Sequence, residues 1–130
     1  MSSEPVKILF VCMGNICRSP AAEAVMQSKL RSLGSEHLIA CDSAGTISQH
    51  QGNPPDPRMQ KAAQSRQIPI GGTARKANEQ DFKNADLLLT MDHFNFSELS
   101  KLAPTADMKS KIKPFCDFIN SGVQEVPDPY

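Results

Sequence analysis

The 130 residues suffice for one domain with a buried core, and 39% of them are apolar. Its 14 basic residues balance 14 acidic ones, so neither nucleic acid nor an anionic membrane surface is implied as an obligate partner. The longest wholly apolar run, Ile8 to Met13, is far too short to cross a bilayer, and Met1 to Lys7 leads into no signal-like segment, which makes a cytoplasmic protein the expectation.

In chain order, Val6 to Cys12 (VKILFVC) is aliphatic and β-branched, as suits a strand covered on both faces. Good helix formers follow from Pro20 to Leu33 with Gly34 as the stop, and Ala21, Ala24, Val25, Leu30 and Leu33 supply an inner face. Leu38 to Ser43 is a second strand. Asp56 and Pro57 place an N-cap and a first-turn proline ahead of a helix through about Arg66, and Ile68 to Gly72 ends that unit. Leu87 to Met91 is a third strand, Asp92 to Leu102 a helix, and Lys111 to Phe115 a fourth strand. The order βαβαβαβ predicts a three-layer α/β fold whose four-stranded parallel sheet is flanked by helices. Ligands bind beyond the carboxyl ends of such strands, where Cys12, Ser43, Asp92 and the segment after Phe115 converge.

Cys12 and Arg18, with five residues between them, bracket the turn from the first strand into the first helix. Backbone N–H groups of the loop Met13 to Ser19 can turn inward there and join the positive end of the helix dipole, forming an anion cradle. Gly14 and Asn15 ease the tight curl. A helix N-terminus and a nearby cation favour a thiolate, which makes Cys12 a candidate nucleophile. Arg18 offers two parallel N–H donors and a charge suited to a phosphoryl group. Ser19 can give its hydroxyl hydrogen to the sulfur. A strand cysteine beside a surface arginine is the plainer alternative.

VCMGNICRSPAAE resembles the phosphate-binding loop of the low-molecular-weight protein tyrosine phosphatases. The likeness continues through DSAGT at Asp42 to Thr46, GNPPDPR at Gly52 to Arg58, QDF at Gln80 to Phe82, ADL at Ala85 to Leu87, Met91-Asp92, and VPDPY at Val126 to Tyr130. The resemblance implies that Cys12 forms a phosphocysteine, that Arg18 binds the phosphate with the loop residues Met13, Gly14, Asn15, Ile16, Cys17 and Ser19, and that Asp128 is general acid. A protonated Asp128 would protect the departing phenoxide from carrying full charge, and its conjugate base would then activate water. Taken alone, Pro127-Asp128-Pro129 also reads as a solvated turn. Tyr130 would form an aromatic wall of the cleft.

Ser43 is expected to hold the Asn15 side chain in the family's manner, with a turn-forming serine as the alternative. Asp92 is expected to steer the Arg18 guanidinium, to cap the helix it begins, or both. Asp56 and Arg58 read as structural, and His37, His50 and His93 as solvent-facing. Cys17 is expected to form a reversible disulfide with Cys12, or simply to fill the loop. The chain departs from the family at Gln49, where many members carry an aromatic residue, and at Gly72, where many eukaryotic members carry a supporting histidine. The family's terminal helix is also missing after Tyr130, so a single domain of residues 1–130 lacking that helix is expected.

Neither a metal site nor a cofactor is implied. The expected partners are tyrosine-phosphorylated proteins, met by a monomer at a phosphate-binding cleft. Thioredoxin-coupled arsenate reductases share the scaffold but need two further cysteines after the third strand, and Asp81 to Lys111 contains none. A non-catalytic phosphate-binding or redox-sensing module is the remaining alternative.

Overall fold

The computed structural model describes residues 4–118 and 122–127. Its elements are β1 (Val6–Cys12), α1 (Arg18–Ser32), β2 (Ile39–Gly45), α2 (Pro57–Ser65), α3 (Glu79–Asn84), β3 (Leu87–Thr90), α4 (His93–Leu102), α5 (Ala106–Lys109) and β4 (Ile112–Pro114), followed by a 3-10 turn at Phe115–Phe118. The four strands form one sheet in the order β2-β1-β3-β4, and every pairing is parallel. This is the predicted α/β architecture. Among the described residues, no helix is long and apolar enough to cross a membrane.

β1 is the hub because it pairs on both sides, and its last four residues are buried. Successive side chains of a strand alternate between faces. Leu9 and Val11 accordingly join Phe82, Leu88, Leu99 and Ile112 on one face, while Phe10 and Cys12 join Leu89 and Met91 on the other, with Ala22 and Met26 of α1 packed against them. Phe115 stands edge-on to Phe10, their ring centroids 5.8 Å apart. Cys12 therefore closes an apolar layer beneath α1, and that layer fixes its backbone.

Several elements differ from expectation, among them β4, which spans only Ile112–Pro114 because Phe115 already begins the 3-10 turn. α1 starts at Arg18, so Arg18 and Ser19 belong to the first turn and the loop is residues 13–17. Its buried residues include Ala24 and Leu30, whereas Val25 and Leu33 are exposed. One residue beyond Ala24 the helix has turned by about 100°, which carries Val25 off the inner face, and Leu33 is already the C-cap. β2 runs on to Gly45. Two short helices are additional: α3 begins with a capping box between Asn78 and Asp81, and α5 is capped by Thr105, whose side chain accepts from the Met108 N–H.

Candidate active site

The loop between β1 and α1 is held from below and from the side. Asn15 sits at φ 57, in the left-handed region that asparagine tolerates better than most residues. Its N–H points at Cys12 Sγ, 3.3 Å away. Its side-chain oxygen accepts from the Arg75 N–H at 3.0 Å, and its amide nitrogen donates to Ser19 Oγ at 2.9 Å. Ser19 Oγ in turn lies 3.0 Å from Cys12 Sγ. No side chain caps the start of α1 and no acidic residue occupies its first turn, so the loop and the positive helix end remain suited to an anion.

The end of β2 presses against the same loop. The Thr46 N–H donates to the carbonyls of Cys12 and Met13, each at 3.0 Å. Gly45 allows that approach, because a Cβ there would stand 2.5 Å from the Met13 carbonyl oxygen. Its φ is not positive, so the requirement is space rather than backbone freedom.

Arg18 is almost fully buried, and its Nη1 donates to Asp92 Oδ2 at 2.7 Å and to the Val126 carbonyl at 2.9 Å. Asp92 Oδ1 meanwhile accepts from the Asn95 N–H at 2.7 Å, capping α4. Both expected contacts of Asp92 coexist, one on each carboxylate oxygen. Asn95, wholly buried, bridges them to the loop: with its amide turned to suit both partners, it donates to Asp92 Oδ1 at 3.0 Å and accepts from the Met13 N–H at 3.3 Å. Val126 is pinned in its own right by its N–H on the Met91 carbonyl, at 2.7 Å.

Cys12, Met13, Gly14, Ile16, Cys17 and Arg18 line one cup, whose opposite wall is Ile47, Gln49 and His50. The side chains of Asn15 and Ser19, expected among the substrate contacts, lie buried behind it and bond the loop itself. Cys17 is buried in the wall of the cup. Asp128 and Tyr130 lie outside the described residues.

Two expectations are corrected. Ser43 does not hold Asn15, because it pairs with Phe10 in the sheet and so faces α1, two residues short of the strand end. Its hydroxyl meets Glu23 Oε1 at 2.7 Å instead. Burial pushes the Glu23 carboxyl above its ordinary range, with the Ser43 hydrogen bond opposing and the Asp42 charge adding to the rise. His50 is half-buried and its ring edge abuts Gly14, where an added Cβ would lie 2.9 Å from Cδ2. Arg58 closes on its neighbour Asp56, at 3.2 Å, within the cap of α2. Of the remaining thiols, burial pushes Cys41 up to about 11, with Glu23 adding, and burial likewise raises Cys116.

Sequence reasoning missed Gly45, Arg75, Asn95 and His50. The first two had no local signal, since each acts on a loop that is distant in sequence. Asn95 follows Asp92 by three residues, a spacing that marks a cap but not a contact with residue 13.

The sequence pattern of the family described as low molecular weight phosphotyrosine protein phosphatase matches residues 7–130. A protein tyrosine phosphatase from Entamoeba histolytica, crystallised with Hepes in its active site, superimposes with a TM-score of 0.91 and is 44% identical, covering 96% of this chain and 80% of its own. The crystal structure of YfkJ from Bacillus subtilis gives a TM-score of 0.93 at 38% identity, covering 100% of this chain and 82% of its own. A Schizosaccharomyces pombe protein named low molecular weight phosphotyrosine protein phosphatase is 39% identical over 127 residues, 96% of this chain and 81% of that protein.

Proposed function

The chain belongs to the low molecular weight phosphotyrosine protein phosphatase family, and from that membership we propose that it hydrolyses phosphotyrosine in proteins, and small aryl phosphates, through a phosphocysteine at Cys12. The observation that carries the reading is the convergence on one cup of the Cys12 sulfur, 3.0 Å from the Ser19 hydroxyl, and an Arg18 guanidinium fixed at 2.7 Å on Asp92.

In the first half-reaction the Cys12 thiolate attacks phosphorus, the S–P bond forms and the P–O bond to the phenol breaks. Asp128, the residue to which the family resemblance assigns this role, gives its proton to the departing oxygen. In the second, the Asp128 carboxylate takes a proton from water, the water oxygen attacks phosphorus, and inorganic phosphate leaves as the thiolate re-forms. Arg18 spans two equatorial oxygens throughout, where its charge is held without reorganisation. Ser19 donates to the sulfur as it regains its negative charge. Every acting group comes from the chain, so the chemistry requires neither a cofactor nor a metal. A reducing, cytoplasmic setting suits a nucleophile that must remain a thiol. Ile16 lines the cup at a position where related phosphoarginine phosphatases tend to carry threonine, and isoleucine there resembles the tyrosine phosphatases.

Turnover of an aryl phosphate tests the reading. Cys12→Ser should abolish it, and Asp128→Ala should slow it by about 10²-fold or more, most for poor leaving groups. A wild-type protein that binds phosphate yet hydrolyses nothing would instead support a non-catalytic binding module.

A further inference from the structure

The hydrogen bonds behind the cup form a directed chain, and its direction is fixed at the end remote from the sulfur. An asparagine amide has one accepting and one donating side. The Arg75 N–H can only donate, and it meets Asn15 Oδ1 at 3.0 Å. The Asn15 amide nitrogen must then face Ser19 Oγ, at 2.9 Å, so Ser19 receives one hydrogen and retains its own to give away. Two acceptors compete for that hydrogen, Cys12 Sγ at 3.0 Å and the Ala44 carbonyl at 3.3 Å, and a thiolate wins by charge as well as distance. With the amide reversed, Asn15 would present its oxygen to Ser19 and draw that hydrogen away from the sulfur.

The main chain at residue 75 is itself secured by a clamp. Arg75 Nη1 and Nη2 bond both oxygens of Asp81, at 2.9 and 2.8 Å, while Nη2 also reaches Asp42 Oδ2 at 2.9 Å. Asp81 belongs to the capping box that starts α3, and Asp42 lies on β2, so the guanidinium joins two elements across the approach to the loop. The preceding Gly71 and Gly72 have open space around them and contribute no packing that would hold the segment. A bidentate arginine fixes geometry in a way that a lysine does not.

We propose that Arg75 is a positioning residue, whose clamped main-chain N–H sets the polarity of the Asn15–Ser19 relay so that it ends in a hydrogen given to Cys12. The inference rests on Cys12 being the nucleophile. It assigns to residue 75 the support that Ser43 was expected to give and that Gly72, standing in place of the histidine of many eukaryotic members, was expected to lack.

The pH profile of Cys12 alkylation by iodoacetate, read on the Cys12 peptide by mass spectrometry in the full chain, tests it together with kcat and KM for an aryl phosphate. Arg75→Met should slow alkylation about tenfold on the acid side of the profile while leaving the alkaline plateau in place, and should lower kcat more than it raises KM. Arg75→Lys should fall between Arg75→Met and wild type. Because Arg75 acts through Asn15, Asn15→Ala combined with Arg75→Met should be no worse than Asn15→Ala alone. Asp42→Asn, which loosens only one arm, should shift the profile less and in the same direction, and carries the test should Arg75→Met fail to fold. An Arg75→Met profile superimposable on wild type, or losses that multiply in the double variant, would overturn the proposal. Either result, obtained with an active wild type, leaves the nucleophile assignment standing; an inactive wild type removes that assignment first.

Discussion

Gly45→Ala isolates the dependence of the loop on a single close approach. The new Cβ would lie 2.5 Å from the Met13 carbonyl oxygen and 3.2 Å from Asn15 N and Cβ. The nearest of these is main-chain, so no rotamer change relieves the clash. Restoring ordinary contact requires a relative movement of roughly 0.9 Å between β2 and the loop. That movement strains the Thr46 bonds to Cys12 and Met13, and the 2.8 Å bond from Gly45 N–H to the Arg75 carbonyl. Overpacking of this kind costs about 1–3 kcal/mol of stability. A displacement near 1 Å at a reacting group costs up to about 10²-fold in rate. Steady-state turnover of an aryl phosphate, with a thermal melt of the same sample, should show kcat down by about 10- to 100-fold and a lower midpoint. A variant with kcat within about threefold of wild type and an unchanged melt would show that the loop does not need this approach, and the reasoning would fail.

Asp92 and Glu23 supply two further tests. Asp92→Asn and Asp92→Ala both lose the ion pair with Arg18, but asparagine remains a good N-cap, so turnover should fall equally in the two while Asp92→Ala melts lower by about 1 kcal/mol of stability; equal melts would mean that the cap contributes nothing. Glu23 has its carboxyl raised by burial, so the stability it contributes is present below its ordinary value of 4.5 and is lost as pH rises through the higher folded value. Glu23→Gln should therefore match wild type in acid and be equally or more stable near neutrality, as paired melts at about pH 4 and about pH 7 would show; a variant less stable only at neutral pH would reverse the sign.

What was legible in the sequence was local. β1 read as a buried strand because seven consecutive residues carry the pattern, and the α2 and α4 caps, Asp56 and Asp92, each announced themselves beside the helix they start. The parallel sheet followed from alternation of strand and helix, whereas the strand order β2-β1-β3-β4 is a property of the folded sheet. α3 and α5 escaped because they span only six and four residues, too few for an apolar period to show, although Asn78-x-x-Asp81 and Thr105 signal their starts. Ser43 misled because position near a strand end was read as position at the site. The pairing with Phe10 decides its face, and that pairing is a property of the sheet.

The reactive groups and the side chains directly behind them lie within seven residues of one another, from Cys12 to Ser19, whereas those that fix them come from 60 residues away at Arg75, 74 at Asp92 and 108 at Val126. A short segment can carry the reactive side chains, but it cannot hold a left-handed Asn15 and a buried arginine in place by itself, because each costs free energy that only outside partners offset. The parallel sheet supplies those partners, since β1, β2 and β3 all deliver their carboxyl ends to the same edge. Damage at Gly45, Arg75 or Asn95 should therefore resemble damage to the loop itself, with impaired turnover and altered Cys12 reactivity in a folded chain. The reach of the site is set by strand order rather than by distance along the sequence.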